Sequence, residues 1–296
     1  MKILAIIVTY NFEKWIDKCL PSLIRSDEPV DILVIDNLSQ DQTINRIRQE
    51  YPSVRLIAND QNLGFGKANN IGLTIAIEEH YDYAFLINQD AWITPPSIGN
   101  MIQHIEQDLP EGIISPVHLT GEGNELDYGF ATYIGNRDLE KVKQDETTRI
   151  VEFINAAFWF IPVSILRKVG GFSPLFYHYG EDKDYANRLK FHHFKFGYTS
   201  SAIGFHDRAF RKPSFAATER AEYVYFLSEY ANINYTFGKA FGKSILAAKL
   251  KSIKAFFKGD LKLCWAYYKM IFKLLAKTSE VTQVRKQTKN PGRNFI

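Results

Sequence analysis

Two hydrophobic rhythms alternate along the first 116 residues. Ile3–Thr9 is a continuous apolar run of strand length, and Trp15, Ile16, Cys19, Leu20 and Leu23 then recur at helical spacing. The alternation continues with strands predicted over 31–36, 54–58, 84–88 and 112–116. Between them the spacing predicts helices from Asp41 to about residue 51, over 67–80, and over 95–107, the last opening on proline. Strands separated by helices of this length predict βαβ units and an α/β fold with a mostly parallel central sheet.

Beyond residue 116 the rhythm changes. Residues 117–149 are rich in glycine and charge and read as loop or hairpin. A strand is predicted over 150–161, a short helix over 163–169, a turn at Gly170-Gly171-Phe172 and a helix over Glu181–Phe191. Two short strands follow at 196–199 and 203–206. From Ser214 the pattern is helical to about residue 277, and the polar stretch 281–296 reads as a frayed end.

Charge divides the chain in the same place. The net charge of +3 over 296 residues conceals an acidic body and a basic tail. Residues 1–210 carry 19 Lys and Arg against 28 Asp and Glu, a net of −9, whereas residues 211–296 carry 17 against 5, a net of +12. The expected organisation is therefore a body over 1–210 and a basic helical extension over 211–296. Hydrophobic residues at 46% and charged residues at 23% exclude a disordered chain. Two cysteines, Cys19 and Cys264, are too few for a disulfide framework and point to a reducing, cytoplasmic setting. The N-terminal apolar run lacks a small-residue cleavage site, so it reads as a strand and not a signal peptide. No apolar stretch reaches the ~18 residues of a spanning helix.

Strands of a parallel sheet present their C-terminal ends to a ligand crevice. Here those ends read Thr9-Tyr10-Asn11, Asp36-Asn37, Asn59-Asp60 and Asn88-Gln89-Asp90. Asn and Asp commonly end strands and cap helices, but four successive ends of this kind point to a shared site. Asn62-Leu63-Gly64-Phe65-Gly66-Lys67 is a glycine-rich turn opening a helix, where backbone amides can face an anion; it is neither a Walker loop nor a dinucleotide fingerprint. Asp90 can hold a hard divalent cation, and His206 can supply an imidazole if the fold brings the two together. Gly180-Glu181-Asp182-Lys183-Asp184 is the densest acidic cluster in the middle of the chain. Helix-dipole stabilisation explains carboxylates in a first turn, and Asp184 with Arg188 reads as a surface pair. The aromatic run Phe176-Tyr177-His178-Tyr179 beside it also suits a carboxylate acting as a general base on a hydroxyl.

Taken in order, Ile6-Ile7-Val8-Thr9-Tyr10-Asn11, Val34-Ile35-Asp36-Asn37, Asn62 to Gly72, Phe85 to Asp90, and Gly170-Gly171-Phe172 followed by Phe176 to Leu189 resemble family 2 glycosyltransferases, in their rhamnosyltransferase-like branch. The resemblance covers roughly residues 3–210. It implies a GT-A fold and inverting transfer of a sugar from a nucleotide-diphosphate donor, dTDP- or UDP-linked, to a saccharide or lipid-linked acceptor in cell-surface polysaccharide synthesis. It implies that Thr9, Tyr10, Asn11, Asp36 and Asn37 line the base and ribose, and that Gly64, Lys67 and Asn69 or Asn70 approach the donor. Asp90 would bind Mg or Mn together with the diphosphate, with His206 as a metal ligand. Asp182 would be the catalytic base, with Glu181 as its neighbour and Asp184 in support. Asn88 and Gln89 depart from the branch's acidic and proline positions and would contact the donor as neutral groups. The departure keeps a non-catalytic sugar-nucleotide-binding scaffold open as an alternative. A nucleotidyltransferase would need a basic glycine-rich loop after the first strand, where Thr9-Tyr10-Asn11-Phe12-Glu13 has none.

In the tail, Leu246, Leu250, Ile253 and Phe257, then Leu261, Trp265, Tyr268, Phe272 and Leu275, recur at helical spacing among lysines. Such stripes either pack on the body or lie on a membrane surface, here the inner face of the plasma membrane. No nucleic-acid reader motif accompanies the charge, so a nucleic-acid partner is not expected.

Overall fold

β1 (Ile3–Thr9) runs through a nine-stranded mixed sheet, and its residues alternate between two cores. Leu4 and Ile6 pack into one cluster, Ile3, Ala5 and Ile7 into the other. Because successive side chains of a strand point to opposite faces, a continuous apolar run marks a strand covered on both sides. β2 (Asp31–Asp36) and β4 (Tyr83–Ile87) show the same division. The computed structural model describes residues 1–145, 147–208 and 214–296. The expected boundary between the body and the extension, at 210/211, lies outside the described residues.

The sheet order is β3-β2-β1-β4-β8-β6-β9-β5, with β7 (Arg149–Ile150) pairing β9. β3 (Arg55–Ala58), β2, β1 and β4 are parallel and are linked by α1 (Ile16–Ile24), α2 (Thr43–Glu50) and α3 (Phe65–Glu78). β8 (Phe158–Pro162) then enters antiparallel to both β4 and β6 (Gly112–Thr120). β6 and β9 (Lys195–His206) form the longest parallel ladder. β5 (Ala91–Ile93), too short to register as a strand in the sequence, pairs antiparallel with the end of β9. α4 (Ser97–Asp108) lies near residues 95–107, where the apolar spacing places a helix.

Several expectations are corrected. Residues 117–149 are loop or hairpin only in part: the segment extends β6 to Thr120, turns back so that Leu119 bridges Leu126 antiparallel, and then forms α5 (Tyr128–Ile134) and α6 (Leu139–Lys143). Each helix has an aspartate cap, Asp127 accepting from the Phe130 amide and Asp138 from the Lys141 amide. Residues 196–199 and 203–206 are one strand, broken only by a register shift opposite Pro116/Val117. Only the two ends of 150–161 are in strands. α7 (Val163–Val169) and α8 (Glu181–Phe191) fall where the spacing puts them.

The tail forms α9 (Phe215–Ala231), α10 (Phe237–Phe241), a π-helical turn over Gly242–Leu246, α11 (Ala247–Phe257), α12 (Leu261–Ala276) and α13 (Thr278–Thr288). Its core includes Leu175 and Phe176 of the body. The C-terminus is not frayed. Gly292 N–H donates to Lys168 O at 2.8 Å, Gly171 N–H donates to Asn294 O at 2.8 Å, and Ile296 packs on the body's core. The apolar signal that fixes this end is sparse: single buried residues Val281 and Val284, then Phe295 and Ile296.

Candidate active site

The β5–β9 pairing builds the centre of the site. Ala91 stands opposite His206, and the Asp207 amide donates to Asp90 O at 2.8 Å, so the end of β4 meets the end of β9. His206 Nε2 lies 3.4 Å from Asp90 Oδ1 and 3.5 Å from Asn88 Nδ2. On the other side of the ring, Nδ1 lies 3.7 Å from Asp127 Oδ2 and makes no hydrogen bond. The negative carboxylate behind the ring favours a proton on Nδ1, the tautomer that leaves Nε2 free to ligate.

Asp127 is missed by the sequence reading, as are Arg208 and His118. Its only sequence signal is the Asp that precedes a short helix. Burial opposes its charge, but the Arg208 guanidinium, bonded bidentately at 2.8 and 2.6 Å, holds the carboxyl below the usual range. His118 stacks on Phe130 and donates to or accepts from Ser115 Oγ at 2.7 Å; burial keeps it neutral, well below the ordinary histidine range. His118, Asp127 and His206 form a buried cluster whose ligand-type atoms all lie within 4.8 Å. Asp127 already accepts from Arg208 and the Phe130 amide, whereas Asp90 and the Nε2 side of His206 could hold a cation between them. The donor spacing there suits two adjacent positions of an octahedral ion, with ligands at about 2.1 Å. The residues therefore fit Mg or Mn.

The strand ends beside this centre are tied to one another. Buried Asp36 accepts from Thr9 Oγ1 at 2.9 Å, from the Ser39 amide at 2.8 Å and from the Ser39 hydroxyl. Asn37 accepts from Asn59 at 2.9 Å and donates to Gly64 O at 3.3 Å, fastening the glycine turn to β2. Gln89 and Tyr10 exchange two bonds, 2.8 Å to the Tyr10 amide and 3.2 Å from the Gln89 amide. Tyr10 and Asn11 are exposed, Asn11 with φ 56° and its side chain accepting from the Gln40 amide. Lys67 is exposed on the first turn of α3, and Asn69 bonds Phe65 O inside it. Asn70 corrects its expected role. Its side chain accepts from the Phe172 amide and donates to Phe172 O and Phe295 O, which makes it a clamp on the Gly170-Gly171-Phe172 turn and the C-terminus.

Across from the strand ends, α8 presents its acidic first turn. Burial pushes the Asp182 carboxyl up, opposed by the Lys183 and Ala156 amides, the former at 2.7 Å. Burial, with the charge of Asp182 beside it, pushes Glu181 up to about 7, and Glu181 Oε2 is buried without a hydrogen-bond partner. Asp184 is not a surface residue: it pairs at 2.9 Å with Arg188, a guanidinium 1% exposed that also holds Val169 O and Gly171 O. That pair supports the α8 start from beneath. Tyr133 of α5 lies near enough to Asp182 and to Asp127 to feel both charges. Burial raises its hydroxyl, and both the Asp182 charge and the Asp127–Arg208 pair act on it. The wall over the glycine turn is Tyr177, whose hydroxyl donates to Asn62 O at 3.1 Å.

Buried Glu181 and half-buried Asp182 at the head of α8, and the Asp90–His206 pair at the strand ends, are the site's two groups of acidic residues. The chain belongs to glycosyl transferase family 2, whose family model matches residues 4–170. It is 24% identical over 253 residues, 75% of this chain and 82% of the relative, to the N-acetylglucosaminyl-diphospho-decaprenol L-rhamnosyltransferase of Mycobacterium tuberculosis. The fold is that of GT-A glycosyltransferases. Residues 1–349 of S. aureus TarS, crystallised with UDP-GlcNAc, superpose with TM-score 0.60 at 14% identity, over 96% of this chain and 84% of that one. Against another crystal structure of TarS the chain spans 43% of its length, with TM-score 0.55. The mannosyltransferase PcManGT of Pyrobaculum calidifontis, in complex with GDP-Man and Mn2+, gives TM-score 0.56 at 14% identity over 94% and 87%. Among the described residues no helix is long and apolar enough to cross a membrane.

Proposed function

We propose that this glycosyltransferase moves a rhamnose-like sugar, with inversion, from a dTDP- or UDP-activated donor to a lipid-linked saccharide in cell-surface polysaccharide synthesis, on the cytoplasmic face of the membrane. The observation that carries the reading is the juxtaposition of Asp90 and His206 at the strand ends. The rhamnosyltransferase relative, whose name specifies a polyprenyl-diphosphate-linked acceptor, supports the choice of sugar and acceptor. Residues 1–210 are read as the catalytic part and 211–296 as its extension.

Thr9, Tyr10, Asn11, Asp36 and Asn37 shape the base and ribose end of the cleft, with Gly64, Lys67, Asn88 and Gln89 toward the sugar. Asp90 and His206 would hold Mg or Mn, which when bound offsets the charge developing on the departing diphosphate. Arg208, close enough to Asp90 to feel its charge, adds a fixed positive group there. Asp182 takes the proton from the acceptor hydroxyl as that oxygen attacks the anomeric carbon from the face opposite the diphosphate. One base suffices, unlike the two carboxyls of glycoside hydrolysis. Glu181, pushed up to about 7, keeps a substantial protonated fraction near neutrality and in that form offers a hydrogen bond to a sugar hydroxyl.

The test is a transfer assay with dTDP-rhamnose and UDP-sugars, Mn2+ and a short-chain polyprenyl-diphosphate saccharide. Release of nucleoside diphosphate with a new glycoside of inverted anomeric configuration is expected. Donor binding with no turnover on any acceptor of this class would overturn the reading in favour of a binding scaffold.

A further inference from the structure

α11 and α12 form an antiparallel pair that leaves much of its large apolar surface outside. Ala248, Ser252 and Ala255 of α11 and Ala266, Tyr267, Met270 and Leu274 of α12 face inward, and Ser252 Oγ reaches Cys264 O at 3.0 Å. A second set of large apolar residues faces out. Phe257 is 82% exposed, Leu250 66%, Leu261 64% and Trp265 58%. On α12 the rings of Trp265, Tyr268 and Phe272 follow one another at 5.4 and 4.9 Å. At 3.6 residues per turn the exposed apolar positions of α12 share an arc of roughly 80°. A soluble surface rarely leaves such a stripe uncovered.

Charge says what covers it. From residue 231 to 279 the chain has ten lysines and one acidic residue, Asp260. The Asp260 carboxylate is used in capping α12. Lys243, Lys251 and Lys277 pair with Glu229, Glu222 and Glu280. Lys249, Lys254, Lys258 and Lys269 have no acidic partner among the described residues. Helical spacing puts Lys249 and Lys254 on either flank of the α11 stripe and Lys262 and Lys269 along one flank of α12. A second copy would bring two such lysine borders together, and like charges across an interface are costly. An anionic surface with an apolar interior satisfies both the rings and the lysines.

We propose that the outward face of the α11–α12 hairpin docks on an anionic phospholipid bilayer, lying in its surface without spanning it. The proposal deepens the lipid-linked-acceptor reading by naming the element that reaches the membrane. The hairpin is placed to serve the site: α12 packs on α9, and Val224 of α9 abuts Gly180 at the head of α8. Binding is nevertheless measured without sugar transfer, so the two readings fail separately.

The experiment is co-sedimentation of the full chain with phosphatidylcholine vesicles, with and without phosphatidylglycerol, at low and high salt. Sedimentation only with phosphatidylglycerol, falling as salt rises, is expected. Phe257→Ser with Trp265→Ser, and separately Lys254→Glu with Lys258→Glu, should each weaken binding about tenfold or more. Nucleotide-sugar thermal shifts of both variants should match the unaltered chain, which shows that the fold and donor site are intact. Equal sedimentation on neutral vesicles, unaffected variants, or a dimer in light scattering that the serine variant dissolves would each overturn the proposal.

Discussion

The two sides of the cleft handle their polar groups in opposite ways. On the donor side, Thr9, Asp36, Asn37, Gln89 and the Tyr10 backbone are bonded to one another or to neighbouring loops. On the side of α8, Glu181 has an orphaned oxygen, and Asp182 relies on backbone amides. A buried polar group with its bonds already made shapes a site and holds it still, whereas one without them carries a desolvation cost that a substrate can relieve. On the proposed function, the first side presents a fixed cleft to the donor, and the α8 side takes up a hydroxyl or a proton.

The largest effect expected from this difference is at Asp182. Asp182→Asn should lower kcat by about 10²- to 10⁴-fold while nucleotide affinity stays nearly unchanged. Near-normal turnover would remove Asp182 from the role of base. In the unaltered enzyme the base must be ionised, so kcat/KM should fall as pH drops through its raised pKa. That limb should lie above the 3.8 of an ordinary aspartate, because burial raises this carboxyl.

Asp90→Ala attacks the other centre and should behave differently. Mn2+ should no longer improve donor affinity, as read by calorimetry with and without the ion, and transfer should fall with it. Unchanged metal dependence would exclude the Asp90–His206 position as the cation site. Asp127→Asn should give a smaller loss of the same kind, about tenfold in metal affinity, because it reaches the cation position indirectly, through His206 and Arg208.

How much of this was legible in the chain follows from how far apart the interacting groups lie. The strand-end polar residues and the α8 carboxyls could be read because each motif is local. The Asp127–His206 contact joins residues far apart in the chain through the β6–β9 ladder and the turn after it, and the Asp90–His206 contact depends on β5, a three-residue strand with no periodicity to display. α5 and α6 were hidden in a glycine-rich, charged segment, since five- and seven-residue helices show too few turns for a 3.6-residue pattern. In the tail the large residues at helical spacing signalled amphipathic helices correctly, but the face they mark is the outer one. Periodicity reports that a face is apolar, and not what lies against it.

Glu181 gives the comparison a thermodynamic form. Its folded pKa, near 7, is raised above the unfolded 4.5, so the folded state binds the extra proton between those values. Folding stability from this group is fullest below pH 4.5 and is lost as pH rises through about 7. Glu181→Gln, neutral at every pH, should therefore be stabilising at pH 8 relative to pH 5, by up to about 3 kcal/mol. Urea denaturation at the two pH values measures it. A difference that does not change with pH would mean the carboxyl is not strained in the fold.

Gly64 is where the two sides touch, and its replacement should act first on stability. It sits at φ 77° at the start of α3, held to β2 through Asn37, and a Cβ there would overlap the Tyr177 carbonyl oxygen. No side-chain rotation relieves a clash with backbone, so Gly64→Ala must push the 176–179 wall away from the glycine turn. The positive φ adds its own cost, and together they should lower stability by about 1–3 kcal/mol. If the wall only covers the turn, the loss will be confined to stability, and kinetics at saturating substrate will be normal. If wall and turn together set the distance between donor and base, KM for both substrates and kcat will change as well. A shift in donor KM alone would place the wall's influence on the donor side, leaving α8 to position the acceptor by itself.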